Sequence, residues 1–179
     1  RMDFPAGAHP RIGLMLDGIA GGTTRLREII QDMIDVSVIE MGLLKLYNQP
    51  VWLPRLMEVL EFDVKKLIHQ RNLELVIAYE TFPTAPTYGD PERLYQAILK
   101  VASNAVKYTP DGGQVRIHSR SLPGFTEIVI EDTGIGIDPD DLLHIFEKFS
   151  SLGDITLHSS GKVKFKGGGA GLGLAIAKG

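Results

Sequence analysis

The feature that most constrains this chain is a short apolar run that ends in a carboxylate and a glycine-bearing turn. Residues 127–131 read Glu-Ile-Val-Ile-Glu, a composition typical of a β-strand. Asp132 follows directly, and Gly134 and Gly136 then allow the backbone to bend and to approach a bound group closely. Because an ionised carboxylate only accepts hydrogen bonds, Asp132 suits an exocyclic amine such as that of adenine. The same pattern also occurs in ordinary hairpin turns, so this stretch alone leaves a purely structural interpretation equally open.

A second stretch lies upstream, where a helical pattern closes between Ser103 and Gly113. Asn104, Lys107 and Tyr108 are spaced i, i+3 and i+4, so they share one face of the helix end. An amide oxygen is a suitable Mg²⁺ ligand, and an ammonium group three residues later can reach phosphate oxygens. The alternative is a helix C-terminus at which Lys107 only complements the helix dipole.

A third stretch lies downstream, where residues 167–176 read Gly-Gly-Gly-Ala-Gly-Leu-Gly-Leu-Ala-Ile. Glycines at the start of a helix leave backbone amides free where the dipole favours anions, which predicts a phosphate site. Leu172 and Leu174 are expected to anchor this last helix in the core. A dinucleotide fold is excluded because no strand precedes the glycines and no parallel βαβ unit follows them.

In order and spacing, these stretches resemble the ATP-binding domain of sensor histidine kinases. The superfamily of that domain also contains DNA gyrase, mismatch-repair ATPases and the large heat-shock chaperones. The resemblance covers residues 23–179 and includes a phenylalanine box at 145–149, Ile-Phe-Glu-Lys-Phe. It implies ATP and Mg²⁺ as ligands, with Asn104 holding the metal and Lys107 contacting phosphate. The nucleotide-binding residues that it implies are Asn104, Lys107, Tyr108, Asp132, Gly134, Gly136, Ile137, Phe149, Lys166, Gly169, Gly171, Leu172, Gly173 and Leu174.

The chain departs from this family in two places. Four residues before the magnesium asparagine, where the family has a polar residue and gyrase-like relatives have a glutamate base, this chain has Lys100. Lys100 therefore argues against water-activating hydrolysis and leaves kinase competence open. The phosphoacceptor motif, a histidine followed by an acid and Leu-Arg-x-Pro, is absent, and His9 precedes a proline in a predicted loop. No catalytic residue is therefore expected within this chain.

Composition excludes several other classes of protein. The net charge of −3 gives no indication of a basic surface for nucleic acid. The sequence contains no apolar run of about 20 residues, so no membrane contact is expected. The absence of cysteine removes disulfides and thiolate metal sites and suits the cytoplasm, although the parent protein could still be membrane-anchored. The five histidines are scattered without ligand spacing, so no zinc site is expected. Because the first residue is Arg1, we interpret the chain as a fragment.

The first 47 residues form the first predicted unit. A helical pattern runs from Ile12 to Tyr47, and it carries a heptad-like apolar seam. The seam consists of Leu26, Ile29, Met33, Val36, Glu40, Leu43 and Tyr47. This pattern fits either a core helix of a single domain or the second helix of a dimerisation hairpin. We favour the hairpin, which implies a homodimer formed through the N-terminal helix.

Residues 48–179 form the second predicted unit, an α+β domain. We expect a linker at 48–51, a helix from Pro54 to about Gln70, a strand at 73–79 and a loop at 81–88. A helix capped by Asp90 and a hairpin of strands 115–121 and 126–131 follow, with a turn at Pro123 and Gly124 that is not of the tight two-residue type. A short helix at 138–149, a polar lid-like loop at 150–168 and a final helix complete the unit. The predicted fold is a two-layer α/β sandwich, a mixed sheet covered by helices on one face, preceded by a long bundle or coiled-coil-type helix.

The basic residues of the 150–168 loop have two interpretations. Lys162, Lys164 and Lys166 alternate, as in a solvated charge run or in an ATP lid whose lysines meet the triphosphate. The overall interpretation is a kinase domain that transfers the γ-phosphoryl of Mg-ATP to a histidine outside the chain, for relay to a response regulator receiver domain. A degenerate nucleotide-binding and dimerisation module, or a gyrase-like ATPase, is the alternative.

Overall fold

The computed structural model describes residues 10–69, 71–149 and 171–179, with the side chains of residues 10 and 11 left out. The loop predicted at 150–168, the lysines within it, His9 and Gly169 therefore lie outside the described residues. In chain order the elements are α1 (Pro10–Glu40), β1 (Gln49–Val51), α2 (Leu53–Ile68), β2 (Glu74–Ile77), a 3₁₀ turn (Tyr79–Thr81), β3 (Thr87–Gly89), α3 (Pro91–Tyr108), β4 (Gln114–Leu122), β5 (Phe125–Asp132) and α4 (Gly173–Lys178).

The larger sheet is mixed and contains three strands in the order β2-β4-β5. β2 runs parallel to β4, with Glu74 opposite Gln114, and the connection between these strands passes through α3. β4 and β5 form an antiparallel hairpin in which Val115 lies opposite Asp132. The mixed sheet predicted from the sequence is confirmed.

One face of this sheet carries the helices. Alternate residues of β4, Val115 and Ile117, are buried against α2 and α3. Arg116, which lies between them, and Arg120 point to the other face and are exposed. α2 contributes three fully buried side chains, Met57, Leu60 and Val64. The buried stripe of α3 consists of Ile98, Ala102, Ala105 and Val106. These residues form one core cluster, so the predicted arrangement of helices on one face of the sheet is also confirmed.

The start of α3 follows the sequence closely. The Asp90 carboxylate accepts hydrogen bonds from the amides of Glu92 and Arg93, as the predicted cap requires, and Pro91 occupies the first turn. The other carboxylate oxygen of Asp90 accepts a hydrogen bond from the Tyr47 amide at 3.0 Å. The hydrogen bonds from Tyr47 and then from Arg93 lower the pKa of Asp90.

Two tyrosine–carboxylate pairs fix α2 against its neighbours. The Tyr95 hydroxyl of α3 donates to Asp63 of α2, and the Tyr79 hydroxyl donates to Glu61 at 2.7 Å. Burial, followed by the bond to Asp63, raises the pKa of Tyr95 to about 12. The bond from Tyr95, with that from Lys66, lowers the pKa of Asp63. Both groups therefore remain in their hydrogen-bonding forms across the neutral range.

The N-terminal helix is shorter than the sequence pattern indicates. α1 ends at Glu40 rather than at Tyr47, because Gly42 takes a left-handed conformation with φ of +64°. The amide of Gly42 bonds to the carbonyl of Ile39, and the amide of Leu43 bonds to that of Val38. This is the glycine-terminated ending known as the Schellman motif. Leu43 and Tyr47 are therefore not part of a helical seam.

The remaining seam residues of α1 divide between two surfaces. Val36 is buried and packs with Ile39 against Leu172 and Ile176, so it faces the rest of the domain. Leu26 and Met33 are exposed. α1 and α4, which belong to the two different predicted units, are in direct contact. The predicted boundary between the units at residue 47 stays a prediction.

Three further expectations about local structure were wrong. Residues 49–51 form a strand that pairs antiparallel with β3, in place of the predicted linker and of the end of the predicted loop. Leu122 lies opposite Phe125, which leaves a tight two-residue turn with Gly124 at φ of +87°. Residues 138–149 form successive turns rather than a helix, although Asp138 begins them as a cap by accepting the amide of Asp140 at 3.0 Å.

The core predicts a large difference between two adjacent positions of α2. Leu60→Ala removes a fully buried side chain from the cluster and should lower the free energy of unfolding by about 2–5 kcal/mol. Val59→Ala is the control, because Val59 is 55% exposed on the same helix, and its change should stay within about 0.5 kcal/mol. Urea unfolding followed by circular dichroism measures both values, and equal losses would contradict this assignment of the core.

Candidate functional site

A single cleft of about 1160 Å³ gathers most of the residues singled out in the sequence. It lies between α1, the C-terminal half of α3, the turn after β5 and the start of α4. The predicted residues that line it are Asn104, Lys107, Tyr108, Asp132, Gly134, Gly136, Ile137, Gly171, Leu172, Gly173 and Leu174. Phe149 is not among its lining residues, and Lys166 and Gly169 lie outside the described part of the chain.

The turn after β5 is held by short hydrogen bonds. One oxygen of Asp132, Oδ1, accepts the amide of Gly134 at 2.8 Å, so the carboxylate shapes the turn that follows it. Thr133 forms two hydrogen bonds with Gln114 of β4. The Thr133 amide donates to the Gln114 carbonyl at 3.1 Å, and the Gln114 amide donates to the Thr133 hydroxyl at 2.9 Å. These bonds fix Asp132 at the end of its strand, and Oδ2, its second oxygen, is not used in the turn.

Gly134 lies where no side chain fits. A Cβ at this position would be 2.4 Å from Asp132 Oδ1 and 2.7 Å from the Tyr108 carbonyl oxygen. The next amide, that of Ile135, donates to the same carbonyl at 3.2 Å. The glycine therefore allows the turn to pack directly on the last residue of α3, which brings Asp132 beside Tyr108.

The face of α3 that borders the cleft is polar and basic. Lys100, Asn104 and Lys107 follow one another at i, i+4 and i+7, and all three line the cleft. The Lys107 ammonium lies 4.6 Å from the centroid of the Tyr108 ring, a cation–π contact. Since Ala102, Ala105 and Val106 are buried on the opposite side, the core determines which side chains face the cleft.

The described part of the second glycine stretch forms the opposite wall. Gly171 has φ of +69°, and its carbonyl accepts the Phe149 amide at 3.1 Å. Leu172 is buried, but its partners are Val36 and Ile176 rather than the main core, and Leu174 is only half-buried. The expected anchoring in a core is therefore confirmed for Leu172, in a cluster separate from the larger one, whereas Leu174 is anchored less completely.

The rim of the cleft near the phenylalanine box is apolar, with one titratable pair beside it. Leu142, Ile145 and Phe146 line the cleft in addition to Ile137. On the same segment, His144 Nδ1 lies 2.8 Å from the Glu147 carboxylate. The hydrogen bond to Glu147, with its charge, raises the pKa of His144.

Asp32 and Asp35 of α1 line the cleft from the other side, and sequence reasoning missed them. Asp32 forms an ion pair with Lys100 at 2.5 Å, and the buried Asp35 accepts the Gln96 amide at 2.7 Å. At the end of the helix, Glu40 pairs with Lys148. The three acids recur at spacings of three and five along α1. That pattern is visible in the sequence, but only the structure supplies their partners.

Comparison with known proteins agrees with this geometry. Residues 89–179 match the sequence profile described as histidine kinase-, DNA gyrase B-, and HSP90-like ATPase. The chain is 32% identical over 169 residues to the autoinducer 2 sensor kinase/phosphatase LuxQ of Vibrio harveyi, covering 91% of this chain but 19% of that protein.

Two solved structures share the fold. Full-length ShkA in complex with AMPPNP superposes with a TM-score of 0.74 at 25% identity, over 97% of this chain and 34% of that one. The histidine kinase ThkA in complex with the response regulator protein TrrA superposes with a TM-score of 0.60 at 18% identity, over 84% and 42%. The chain belongs to the family of histidine kinase-, DNA gyrase B- and HSP90-like ATPases, and it carries the ATP-binding domain of that family in the form found in sensor histidine kinases.

Proposed function

We propose that this chain binds Mg-ATP and serves a kinase that transfers the γ-phosphoryl group to a histidine outside these residues. A response regulator receiver domain then takes the phosphoryl group. The observation that carries the proposal is the cleft itself, which is lined by Asp132, Asn104, Lys107 and the glycines at 171 and 173. The chain spans about a fifth of LuxQ, so the activity of the whole protein is inferred from this one domain.

The adenine end of the cleft is formed by the turn after β5. Asp132 Oδ1 accepts the Gly134 amide, which leaves Oδ2 to accept the exocyclic amine of adenine. Ile137, Leu142 and Phe146 line the same region and provide apolar surface for a flat base. One carboxylate oxygen thus maintains the turn while the other reads the base.

The phosphate end is formed by α3 and the second glycine stretch. Lys107 supplies a cation, and Gly171 and Gly173 carry no side chain that would keep phosphate oxygens from the backbone. In the described ranges no group of three His, Cys, Asp or Glu side chains could hold a metal ion. Mg²⁺ would therefore take the Asn104 amide oxygen together with phosphate oxygens, the way in which this ion commonly binds with nucleotides. When bound, the metal neutralises charge on the phosphates.

The chain contributes positioning rather than a general base. Lys100 occupies the position at which gyrase-like relatives carry a glutamate, and its ammonium is paired with Asp32. An ammonium cannot accept the proton of an attacking water, so the gyrase-like alternative lacks support. Phosphoryl transfer depends mainly on alignment and charge stabilisation, which the residues of the cleft can supply.

The exposed face of α1 supports a homodimer. Ile12, Ile19, Leu26 and Met33 recur every seven residues, and each is between 44% and 66% exposed. A heptad-spaced apolar row on a long helix is typical of a helix that packs against a partner helix. We propose that this row packs in a dimerisation bundle. We also propose that a response regulator binds the protein, by analogy with the complex of ThkA with the response regulator protein TrrA.

We place the domain in the cytoplasm, where ATP is available and where a chain without cysteine needs no oxidising environment. No helix in the described part of the chain is long and apolar enough to cross a bilayer. A degenerate nucleotide-binding and dimerisation module is the second candidate function. It is favoured by one observation, the lysine at position 100 and its ion pair with α1.

Asp132→Asn tests the adenine contact. Asparagine keeps one oxygen for the Gly134 amide but presents donors in place of the second oxygen, so ATP should bind about tenfold more weakly or worse. Asp138→Asn is the matched control, because Asp138 closes the same type of turn on the Asp140 amide and should bind ATP normally. Calorimetric titration measures both affinities. Equal affinity of the Asp132→Asn variant and the unaltered chain would contradict the adenine assignment.

Asn104→Ala tests the metal contact. The ratio of ATP affinities with and without Mg²⁺ should fall toward about one, while ADP binding without metal stays unchanged, because only the metal loses a ligand. Asn72→Ala, an exposed asparagine outside the cleft, should retain the full magnesium effect. Equal losses of affinity with and without Mg²⁺ would mean that Asn104 has only a structural role.

Labelling tests the kinase itself. Incubation with γ-labelled ATP and Mg²⁺ should leave this chain without acid-labile phosphate, since no acceptor motif occurs in it. A longer chain of the same protein that includes the acceptor helix should become labelled. Labelling of the 179-residue chain that disappears in His9→Ala would contradict the assignment. Binding of ATP without labelling of the longer chain would favour the degenerate module.

A further inference from the structure

Lys100 lies between helix α1 and the phosphate side of the cleft, two parts of the structure that are distant from each other in the sequence. Its aliphatic stem lies beside Gly173, since a Cβ added to that glycine would be 3.6 Å from Lys100 Cδ. Its ammonium forms the 2.5 Å ion pair with Asp32 of α1. Both side chains are largely buried, with 25% of Lys100 and 19% of Asp32 exposed. The Asp32 carboxylate thus holds the charge of Lys100 at the edge of the cleft.

The position of Lys100 on α3 aligns it with the two residues assigned to phosphate and metal. Lys100, Asn104 and Lys107 occupy one face over two turns of the helix, and all three line the cleft. Rotation of the last bonds of a lysine side chain moves its ammonium by several ångströms without moving the backbone. From its place beside Gly173, Lys100 can turn either toward Asp32 or toward an anion held in front of the glycines.

We propose that Lys100 is an additional phosphate-binding cation of the nucleotide site, which Asp32 engages until the polyphosphate of a nucleotide competes for it. The inference rests on the proposed nucleotide site and adds to it a link between nucleotide binding and α1. Because coupling between two binding events is reciprocal, a polyphosphate that draws Lys100 away weakens the docking of α1, and a docked α1 weakens polyphosphate binding.

The neighbouring contacts of α1 show why one ion pair can influence this docking. Besides Asp32, the helix is attached by Asp35, which accepts Gln96 and lies 3.5 Å from Arg93, and by the pair of Glu40 with Lys148. Among the residues that the structure describes, the buried apolar part of the contact is formed by Val36 and Ile39 against Leu172 and Ile176. When phosphates draw Lys100 away, the largely buried Asp32 carboxylate loses its counter-ion and lies next to further negative charge. This favours release of α1 from the domain.

Affinities for ATP and for adenosine, measured by calorimetric titration, test this inference. Asp32→Asn should raise the affinity for ATP by about threefold to tenfold and leave that for adenosine unchanged, because only the phosphates meet the freed Lys100. Adding Lys100→Met to Asp32→Asn should remove the gain and lower ATP affinity further, again without an effect on adenosine. Asp17→Asn, which removes the same charge from a distant turn of α1, and Lys65→Met, on the exposed side of α2, are the matched controls and should leave both affinities unchanged.

Hydrogen exchange of the unaltered chain provides a second measurement that needs no variant. ATP should increase exchange in the α1 segment 31–40, whereas adenosine should not, since it brings no phosphate to Lys100. If the double variant Asp32→Asn, Lys100→Met binds ATP as tightly as the Asp32→Asn single variant, Lys100 does not bind phosphate. Unchanged exchange of α1 with ATP bound would overturn the competition with Asp32. If the unaltered chain binds adenosine and ATP equally or not at all, the proposed nucleotide site itself is wrong, a result distinct from the other two.

Discussion

The hydrogen bond from the Ile135 amide to the Tyr108 carbonyl is the contact on which the site depends. It joins the end of a helix to the turn after a strand, two elements whose sequence positions are far apart. Gly134 makes the contact possible, since any side chain there would overlap the same carbonyl. Because Asp132 is bonded to that turn and Lys107 precedes Tyr108, this junction brings together the Asp132 carboxylate and the Lys107 ammonium, the two groups that we propose contact the base and the phosphates.

The orientation of α3 comes from its buried side rather than from the cleft. Ala102, Ala105 and Val106 pack on the sheet, and burial of this stripe determines the rotation of the helix about its axis. The side chains facing the cleft then follow from helical spacing alone. A change in the core can therefore reshape the cleft from a distance, because it would turn Asn104 and Lys107 together.

The parts predicted from the sequence are those whose energetics are local. The Asp90 cap, the faces of α3 and the hairpin strands depend on neighbours within a few residues, so periodicity and the capping residue were sufficient for them, although the tight turn at Pro123 and Gly124 was missed. The errors involve partners distant in sequence or conformations that compete with periodicity. The pairing of Gln49 with Gly89 spans forty residues, and Gly42 ended α1 although the apolar spacing continued beyond it. The ion pair of Asp32 with Lys100 depends on how a helix docks, which no spacing within that helix encodes.

Helix α1 shows two surfaces with different physical demands. Toward the domain it presents carboxylates whose ion pairs differ in exposure. The pair of Asp32 with Lys100 is largely buried, whereas the pair of Glu40 with Lys148 is about half exposed and therefore weak and sensitive to salt. Away from the domain it presents the apolar row through Leu26 and Met33, which only another apolar surface can bury. Polar contacts between units are exchanged at low cost, whereas apolar seams are not. For the proposed kinase, this arrangement suits a helix that stays with its partner helix while the ATP-binding domain changes position beside it. The proposed phosphoryl transfer to a histidine on another segment would require that freedom.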